Sequence, residues 1–336
     1  MILMPPDSLR ALLGRRLEHG DPSVPARALS AAWGLFATRG LARPLHLAAG
    51  VRLLGIGSAV LGGAGKTPLA IALTRALADL GQRPALLGHA YRAHPGRPRV
   101  VLPNDPVALV GDDALSAARL LAGFAPVIVA PRRQDALDHA AALGHLTVVA
   151  DGLLQTAPHR LASSILVLDA LTPWGSGACP PAGDLRAPCA ALLAAADHVV
   201  AIVPEGVALD ASLRAIPVPS RLTGALTSTG DHLPFAALAP QRLGLLLTIA
   251  RPARVLAALA HAGLTPALTI TLADHAVPSP WHLEAAARAP VDAWVTTARC
   301  ATKLPPRIGA APVLILDRGL QIDALLTALQ PTGTDG

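Results

Sequence analysis

The stretch that decides the fold is VRLLGIGSAVLGGAGKTPLAIALTRALADLG, residues 51–81. It runs from a short apolar segment through glycines into a stretch with leucines at positions 69, 73 and 77, the spacing of a helix that buries one side. Strand, glycine-rich loop and helix are the context of a phosphate-binding loop, whose general pattern is Gly-x-x-x-x-Gly-Lys-Ser/Thr. This chain has Val60 where that pattern has its first glycine. The stretch predicts a nucleotide-phosphate site; the alternative is a glycine-rich turn followed by a chance Lys-Thr.

The residues of this loop have separate chemical tasks. Three glycines let backbone N–H groups curl around phosphate oxygens without interference from side chains. Lys66 supplies a point charge for the β- and γ-phosphates, and Thr67 supplies a hydroxyl for Mg²⁺. The predicted nucleotide-binding residues are Gly62, Gly63, Ala64, Gly65, Lys66, Thr67 and Pro68.

The remaining chain predicts two linked α/β units. Short apolar runs alternate with helical stretches from Val51 onward, which is typical of a parallel sheet covered on both faces. A Pro-rich, weakly patterned stretch at about 216–240 precedes a second series of apolar runs, LGLLLTIA, ALTITL, DAWVTT and APVLILD. The predicted fold class is α/β: a P-loop NTPase-like parallel sheet flanked by helices, a second smaller α/β domain and an N-terminal amphipathic helix. The predicted divisions are 1–48, 49–240 and 241–330.

The N-terminal segment contains ARALSAAWGLFATRGLARPLHLAAG, in which Leu29, Trp33, Phe36 and Leu41 follow near-helical spacing. Arginines 27, 39 and 43 flank these residues. An apolar face with basic flanks is typical of a helix that lies on an anionic bilayer. A helix packed on the domain core is the alternative, and the pattern alone does not separate the two.

Composition narrows the possible partners. The net charge of +6 suits phosphorylated substrates or anionic lipid. Nucleic acid is not expected, because the sequence has no basic strand interleaved with aromatics. No apolar run reaches the roughly 20 residues of a transmembrane helix, and the start lacks a signal-peptide pattern. The three cysteines, at 179, 189 and 300, have no metal-binding spacing and favour a reduced, cytoplasmic setting.

Seven segments resemble those of one family, the tetraacyldisaccharide 4′-kinases of lipid A synthesis. The family's loop reads Gly-Asn-x-x-x-Gly-Gly-Thr-Gly-Lys-Thr-Pro and also lacks the first glycine of the general pattern; this chain reads GSAVLGGAGKTP at 57–68. The other similar segments, in chain order, are VGDDALSAARL (110–120), APRRQDALDHAAAL (130–143), GSGACPPAGDLRAP (175–188), IARPARVLAAL (249–259), LADHAVPS (272–279) and VTTARCATKL (295–304).

This resemblance implies transfer of the γ-phosphate of ATP, with Mg²⁺, to the 4′-hydroxyl of the lipid A precursor tetraacyldisaccharide 1-phosphate. It implies a peripheral enzyme at the anionic, cytoplasmic face of the bacterial inner membrane. Asp112 is implied as the base, with Lys66 on the phosphates and His275 supporting the base. The implied metal ligands are Thr67, Asp113 and Asp151, and the implied substrate or nucleotide contacts are Tyr91, Arg133 and Arg186. From the residues alone, Asp112 and Asp113 could equally cap a helix, and His275 could be an ordinary loop histidine.

Three departures from the family pattern leave other functions open. The family has paired aspartates after the strand LTVVA, where this chain has Ala150 before Asp151, and one residue is inserted near Leu154, before Gln155. His89 also replaces a family arginine. These departures motivate a second hypothesis, a relative that binds lipid or nucleotide with weakened turnover. A third is another phosphate-loop ATPase or GTPase, against which the Asp-His segment and the near full-length order of similar segments argue.

Overall fold

The computed structural model describes residues 2–3, 16–21, 23–41, 45–154 and 163–330. Its strands are β1 (Ile2–Leu3), β2 (Arg52–Ser58), β3 (Pro84–Leu87), β4 (Arg99–Val100), β5 (Val127–Val129), β6 (Thr147–Asp151), β7 (Ser163–Asp169), β8 (His198–Pro204), β9 (Ile216–Leu226), β10 (His232–Leu233), β11 (Leu243–Leu247), β12 (Leu268–Thr271), β13 (Ala293–Thr296), β14 (Arg307–Ile308) and β15 (Ala311–Leu320). Its helices include α1 (Val24–Leu41), α2 (Lys66–Asp79), α3 (Val107–Val110), α4 (Asp112–Leu120), α5 (Arg133–Ala142), α6 (Cys189–Ala194), α7 (Phe235–Leu238), α8 (Pro252–His261), α9 (Pro280–Ala287), α10 (Ala298–Ala301) and α11 (Asp323–Ala328).

The chain forms two compact units, one of residues 16–219 and 320–336 and a smaller one of 1–15 and 220–319. In the larger unit the strands lie in the order β8-β7-β2-β6-β3-β5-β4. All neighbours pair in parallel except β4, which is antiparallel to β5. The β2 strand therefore lies between β6 and β7, and the glycine-rich loop leaves its carboxyl end in the interior of the sheet. This is the edge at which open parallel sheets bind ligands.

Alternate residues of each strand in the larger unit face opposite helices. Leu54 and Ile56 pack in one buried cluster with the leucines of α2, whereas Leu53 packs in another with Ala136 and Leu137 of α5. This two-residue alternation, with both faces apolar, explains the continuous apolar runs in the sequence. The expected sheet covered by helices on both faces is confirmed.

Helix α2 begins at Lys66, directly after the glycine-rich loop. Gly65 precedes it in the left-handed conformation, with φ of 86°. Leu69, Leu73 and Leu77 are buried, so the predicted apolar stripe is confirmed. A helix whose leucines lie under the sheet is held rigidly, and its first turn keeps a fixed position relative to β2.

The smaller unit has its own parallel sheet. Strands β1, β12, β11, β13 and β15 follow one another in that order and pair in parallel. Two short strands add antiparallel pairs, β10 on β9 and β14 on β15. The strands predicted in LGLLLTIA, ALTITL, DAWVTT and APVLILD correspond to β11, β12, β13 and β15. These strands carry the second buried core of the protein.

The compact units divide at 219/220 and 319/320, whereas the sequence pattern predicts a boundary near 240. The Pro-rich, weakly patterned stretch before that boundary contains β9, whose residues alternate between buried and less buried positions over its first half. Prolines at 217 and 219 mask this strand in the sequence, because proline lacks the N–H that a sheet uses.

Helix α1 belongs to the larger unit and packs through its small residues. Ala26, Ser30 and Gly34 are buried, and a Cβ at Gly34 would lie 3.1 Å from Cγ of Pro188. Of its larger apolar residues, Leu29, Trp33 and Phe36 are exposed, whereas Leu41 is half-buried and packs against the core. Arg43 lies outside the described residues. None of the helices in the described ranges combines the length and the apolar character that crossing a membrane requires.

Candidate active site

The position that departs from the general loop pattern is a packing position. Val60 is buried and forms an isolated antiparallel bridge with Leu185. The backbone N–H of Arg186 donates to the carbonyl of Ala59 at 2.8 Å. The first half of the loop is thus paired with the segment at 184–186, and the valine contributes to the apolar cluster beneath it.

The second half of the loop adopts the conformation that glycine favours. Gly62, Gly63 and Gly65 have φ of 79°, 71° and 86°. A Cβ at Gly65 would lie 3.1 Å from Cγ1 of Ile202, in addition to the strain of its positive φ. Among the described residues no side chain caps α2, so its first-turn N–H groups suit a phosphate at the helix N-terminus.

Thr67 and Asp151 meet at the start of α2. Thr67 Oγ1 donates to Asp151 Oδ2 at 2.6 Å. Asp151 ends β6, beside β2, and only 3% of its surface is exposed. Its other oxygen, Oδ1, is buried and has no hydrogen-bond partner within the described part of the chain. A buried carboxylate oxygen without a partner is costly, and a divalent cation would satisfy it. The hydroxyl and carboxylate oxygens present therefore fit Mg²⁺.

Arg133 holds the turn that follows Asp151. Its Nη1 donates to the carbonyl of Asp151 at 2.9 Å, and its Nη2 to that of Gly152 at 3.4 Å. Desolvation lowers the pKa of the Arg133 guanidinium, and the Asp151 charge acts in the opposite direction. Arginine stays charged in proteins, so Arg133 is a permanent cation fixed beside the carboxylate.

His89 lies against the same turn. A Cβ at Gly152 would meet the imidazole Cδ2 at 3.3 Å. Part of the His89 surface is exposed, and the surrounding protein desolvates the rest. This desolvation is the largest of the effects that lower the pKa of the imidazole to about 4. The charges of Arg133, Lys66 and Arg186 lower the pKa further, whereas the charge of Asp151 raises it. The histidine that replaces a family arginine is therefore neutral and sits within a group of cations.

Arg186 reaches the strand that leads into the loop. Its Nε donates to Oγ of Ser58 and to the carbonyl of Val60, each at 3.2 Å. The pKa of its guanidinium is lowered by desolvation, with the Asp151 charge opposing this. Lys66 is half-buried at the first position of α2. The charges of Lys66, Arg133 and Arg186 each lower the pKa of His89. All three cations therefore lie near His89, at one edge of the sheet.

The paired aspartates at 112 and 113 begin α4 in the larger unit. Asp112 is 3% exposed, and its Oδ1 accepts a hydrogen bond from the Asp113 N–H at 3.0 Å. Gly111 precedes them with φ of 87° and ψ of 149°, and a Cβ there would lie 3.3 Å from the carbonyl oxygen of His89. The Gly111 turn thus aligns the start of α4 with the segment after β3. Tyr91, in that segment, is about half exposed, and its ring lies 6.0 Å from the His89 ring in an edge-on arrangement.

In the smaller unit, His275 follows β12 in a turn with positive φ, 59°. Its N–H donates to the carbonyl of Thr248 at 3.1 Å. Arg299 contacts both His275 and Asp274, with Nη1 3.1 Å from the imidazole Nε2 and Nη2 donating to Asp274 Oδ1 at 2.6 Å. Sequence reasoning missed Arg299; its position after a strand, in the segment that resembles the family, was the available signal.

Ala150 stands where the family has the first of its two aspartates. Ala150 packs in the buried cluster on the α5 side of the sheet, whereas Val149 packs on the α2 side. Since side chains alternate along a strand, Asp151 faces α2 and Thr67, and residue 150 faces the opposite way. The alanine therefore leaves the Thr67 side of the sheet unchanged.

The residues around the apparent insertion are packed rather than looped out. Leu153 and Leu154 are buried. A Cβ at Gly57 would overlap Cγ of Leu154, at 2.2 Å, so the glycine makes room for this leucine. Gln155 lies outside the described residues. Leu154 thereby supports the strand that carries the phosphate loop.

The sequence is similar to one family of known proteins. Over residues 24–330 the sequence matches the family described as tetraacyldisaccharide-1-P 4'-kinase, LpxK. The tetraacyldisaccharide 4'-kinase of Anaeromyxobacter dehalogenans strain 2CP-1 is 35% identical, over 96% of this chain and 89% of that protein. The one of Methylobacterium nodulans is 34% identical, over 93% and 95%.

A solved structure shares the fold. LpxK from Aquifex aeolicus, crystallised in complex with ATP, superimposes with a TM-score of 0.65 over 90% of this chain and 94% of that one, at 18% sequence identity. The seven similar segments, the α/β fold and these matches lead to one conclusion. The chain belongs to the tetraacyldisaccharide-1-P 4'-kinase family.

Proposed function

We propose that this protein transfers the γ-phosphate of ATP to the 4′-hydroxyl of tetraacyldisaccharide 1-phosphate, using the loop of residues 62–68 and the groups around Asp151. The observation that carries the proposal is the Thr67–Asp151 hydrogen bond of 2.6 Å beside the glycine-rich loop. A hydroxyl at the start of a helix and a carboxylate at the end of a neighbouring strand form the metal-facing side of a phosphate-loop nucleotide site.

The nucleotide would lie with its phosphates over the start of α2. The N–H groups of residues 62–66 and the Lys66 ammonium would neutralise the phosphates, and Arg133 and Arg186 add positive charge nearby. Positioning and charge neutralisation supply most of the catalysis in phosphoryl transfer. Tyr91, Arg133 and Arg186 remain proposed substrate or nucleotide contacts.

Mg²⁺ would be held by Thr67 and Asp151, with Asp113 as a further proposed ligand by family resemblance. The unpartnered Asp151 Oδ1 supports this assignment. When bound, the ion would neutralise charge on the phosphate oxygens. Arg133 donates to the carbonyls of Asp151 and Gly152 and so fixes the backbone that carries this side chain.

Asp112 is the proposed base, which would accept the proton of the 4′-hydroxyl. Its burial at the start of α4 supports a fixed position, and the helix N-terminus stabilises its charged form. A general base must be fixed within hydrogen-bond distance of the proton it removes. His275 is proposed to support this base, as the family resemblance implies.

Helix α1 is the proposed membrane contact, at the cytoplasmic face of the inner membrane. Its packed side consists of small residues, while Leu29, Trp33 and Phe36 are 60%, 51% and 70% exposed. Arg27 and Arg39 are exposed on the same helix. Large apolar residues with flanking arginines suit an anionic bilayer, which also contains the acylated substrate.

The decisive experiment is a kinase assay with detergent-dispersed tetraacyldisaccharide 1-phosphate and Mg-ATP. We expect the 4′-phosphorylated lipid as product. A matched pair of variants, Lys66→Met in the loop and Arg288→Gln on an exposed surface, separates loss of the site from general damage. Absence of product under conditions where a family kinase is active would contradict the proposal.

A further inference from the structure

We propose that Arg299 is a positioning residue that fixes the imidazole of His275 as its Nδ1–H tautomer, leaving Nδ1 as the hydrogen-bond donor. This inference rests on the proposed function, because it gives chemical content to the role of His275 as the support of a carboxylate base. The contacts that carry it all lie within the smaller unit.

The direction of the Arg299–His275 contact is fixed by chemistry. A guanidinium has five donor N–H groups and no acceptor, and it stays protonated in proteins. Its Nη1 lies 3.1 Å from Nε2 of His275, so Nε2 must be the acceptor. A neutral imidazole that accepts at one nitrogen carries its proton on the other. The proton of His275 is therefore on Nδ1.

Asp274 is the other possible hydrogen-bond partner of His275 Nε2, but its carboxylate is too distant. Its Oδ2 lies 3.5 Å from Nε2, longer than the usual range for an N–H···O hydrogen bond. Its Oδ1 instead accepts from Arg299 Nη2 at 2.6 Å. A carboxylate that already holds the guanidinium fixes the orientation of the arginine, and the arginine in turn defines the tautomer.

The backbone adds a second constraint on the histidine. His275 has a φ of 59°, a conformation that is uncommon for residues other than glycine and in which histidine is enriched. Its N–H is held by the Thr248 carbonyl at 3.1 Å, and its side chain is only 13% exposed. Uncommon backbone conformations of this kind persist where the surroundings hold them, often at functional sites. The imidazole is therefore fixed from both its backbone and its Nε2 side.

The arrangement requires the two separate terminal nitrogens of the arginine guanidinium. One guanidinium nitrogen reaches Asp274 while the other reaches His275, which a lysine ammonium cannot reproduce with the same geometry. A residue that supports a carboxylate must donate a hydrogen bond, and with Nε2 occupied the remaining donor is Nδ1–H.

The test is ¹⁵N NMR of the histidine ring in the full-length protein, with His275 assigned by His275→Gln. At a pH where the imidazole is neutral, we expect the shift pattern of the Nδ1–H tautomer in the unmodified protein. Arg299→Gln should move the pattern toward Nε2–H, and Arg299→Lys should give a mixture. Arg288→Gln is the matched control, since Arg288 is an exposed arginine of the same unit, and it should leave the pattern unchanged.

Kinetics provide a second readout. In metal sites, loss of a residue that orients a histidine ligand typically lowers metal affinity or activity about 10–100-fold. We expect Arg299→Gln to lower kcat on the same order, with KM for ATP unchanged. An Nε2–H pattern in the unmodified protein, or an Nδ1–H pattern that survives Arg299→Gln, would overturn the proposal. The NMR pattern needs no turnover, so an inactive protein with the expected tautomer would refute the proposed function and leave the role of Arg299 standing.

Discussion

Thr67 Oγ1 and Asp151 Oδ2 lie 2.6 Å apart and join the first turn of α2 to the carboxyl end of β6. Neighbouring parallel strands end at the same edge of a sheet, so this contact links the phosphate loop to the strand beside it. The second carboxylate oxygen is left buried without a partner among the described residues. The pair therefore presents one satisfied oxygen and one that is suited to a cation.

Asp151→Asn should lower kcat on the order of 100-fold, the scale of losing one electrostatic stabiliser of the transition state. An amide keeps the size of the side chain but removes its charge, so the Mg²⁺ concentration for half-maximal activity should rise. A magnesium titration of the kinase rate measures both effects. Asp138→Asn, on the exposed side of α5, is the control; equal Mg²⁺ dependence in the two variants would exclude Asp151 as a ligand.

Asp112→Ala should abolish turnover while leaving ATP binding nearly intact. General-base catalysis contributes typically about 10²–10⁴-fold, and a base for the lipid hydroxyl has no task in holding the nucleotide. Calorimetric titration with ATP, beside the kinase assay, separates the two functions. If ATP affinity and turnover fall together, Asp112 is a nucleotide-site residue and the base lies elsewhere.

Gly57→Ala should destabilise the protein by about 1–3 kcal/mol, the usual cost of overpacking a core. The added Cβ would lie 2.2 Å from Cγ of Leu154, so the buried leucine would have to leave its packed position. Thermal unfolding measures the loss. The double variant with Leu154→Ala should recover part of it, and simple additivity of the two single variants would show that the residues do not interact.

The pKa of His89 predicts a pH dependence of stability. The folded-state pKa is lowered to about 4 from the ordinary value of 6.5, so between these values the unfolded chain binds the proton and the folded protein does not. Stability attributable to His89 is therefore present above 6.5 and is lost as the pH falls from 6.5 toward 4. Denaturant unfolding at a series of pH values, with and without His89→Gln, tests this.

In the His89→Gln variant the slope of stability against pH should be smaller in that window, because one titrating group is absent. NMR of the imidazole gives an independent check in the folded protein. An apparent pKa near the ordinary value of histidine would contradict the cationic surroundings inferred for His89.

The sequence predicted the loop, α2 and the strands around them, because glycine, lysine and continuous apolar runs have local physical causes. It did not predict β9, since prolines obscure the strand pattern there. The direction in which residue 150 faces needs the pairing register, and the contact of Arg299 with His275 joins residues 24 positions apart. Such relationships depend on tertiary packing, which a single sequence does not specify through periodicity.

Helix α1 is another element whose packing the sequence spacing leaves open. The spacing of Leu29, Trp33, Phe36 and Leu41 fits either a buried or an interfacial face. The structure buries Ala26, Ser30 and Gly34 and exposes the first three of the large residues, while Leu41 is half-buried. Replacing Leu29, Trp33 and Phe36 together with serine should release the protein from anionic vesicles, because it removes apolar area worth roughly 25 cal/mol per Å² of buried surface. Folding should be retained, since these side chains are outside the core.

Co-sedimentation with vesicles measures the effect. The matched control is the double variant Leu80→Ser with Leu143→Ser, which also changes exposed apolar positions. Unchanged binding of the triple variant would exclude this face as the membrane contact.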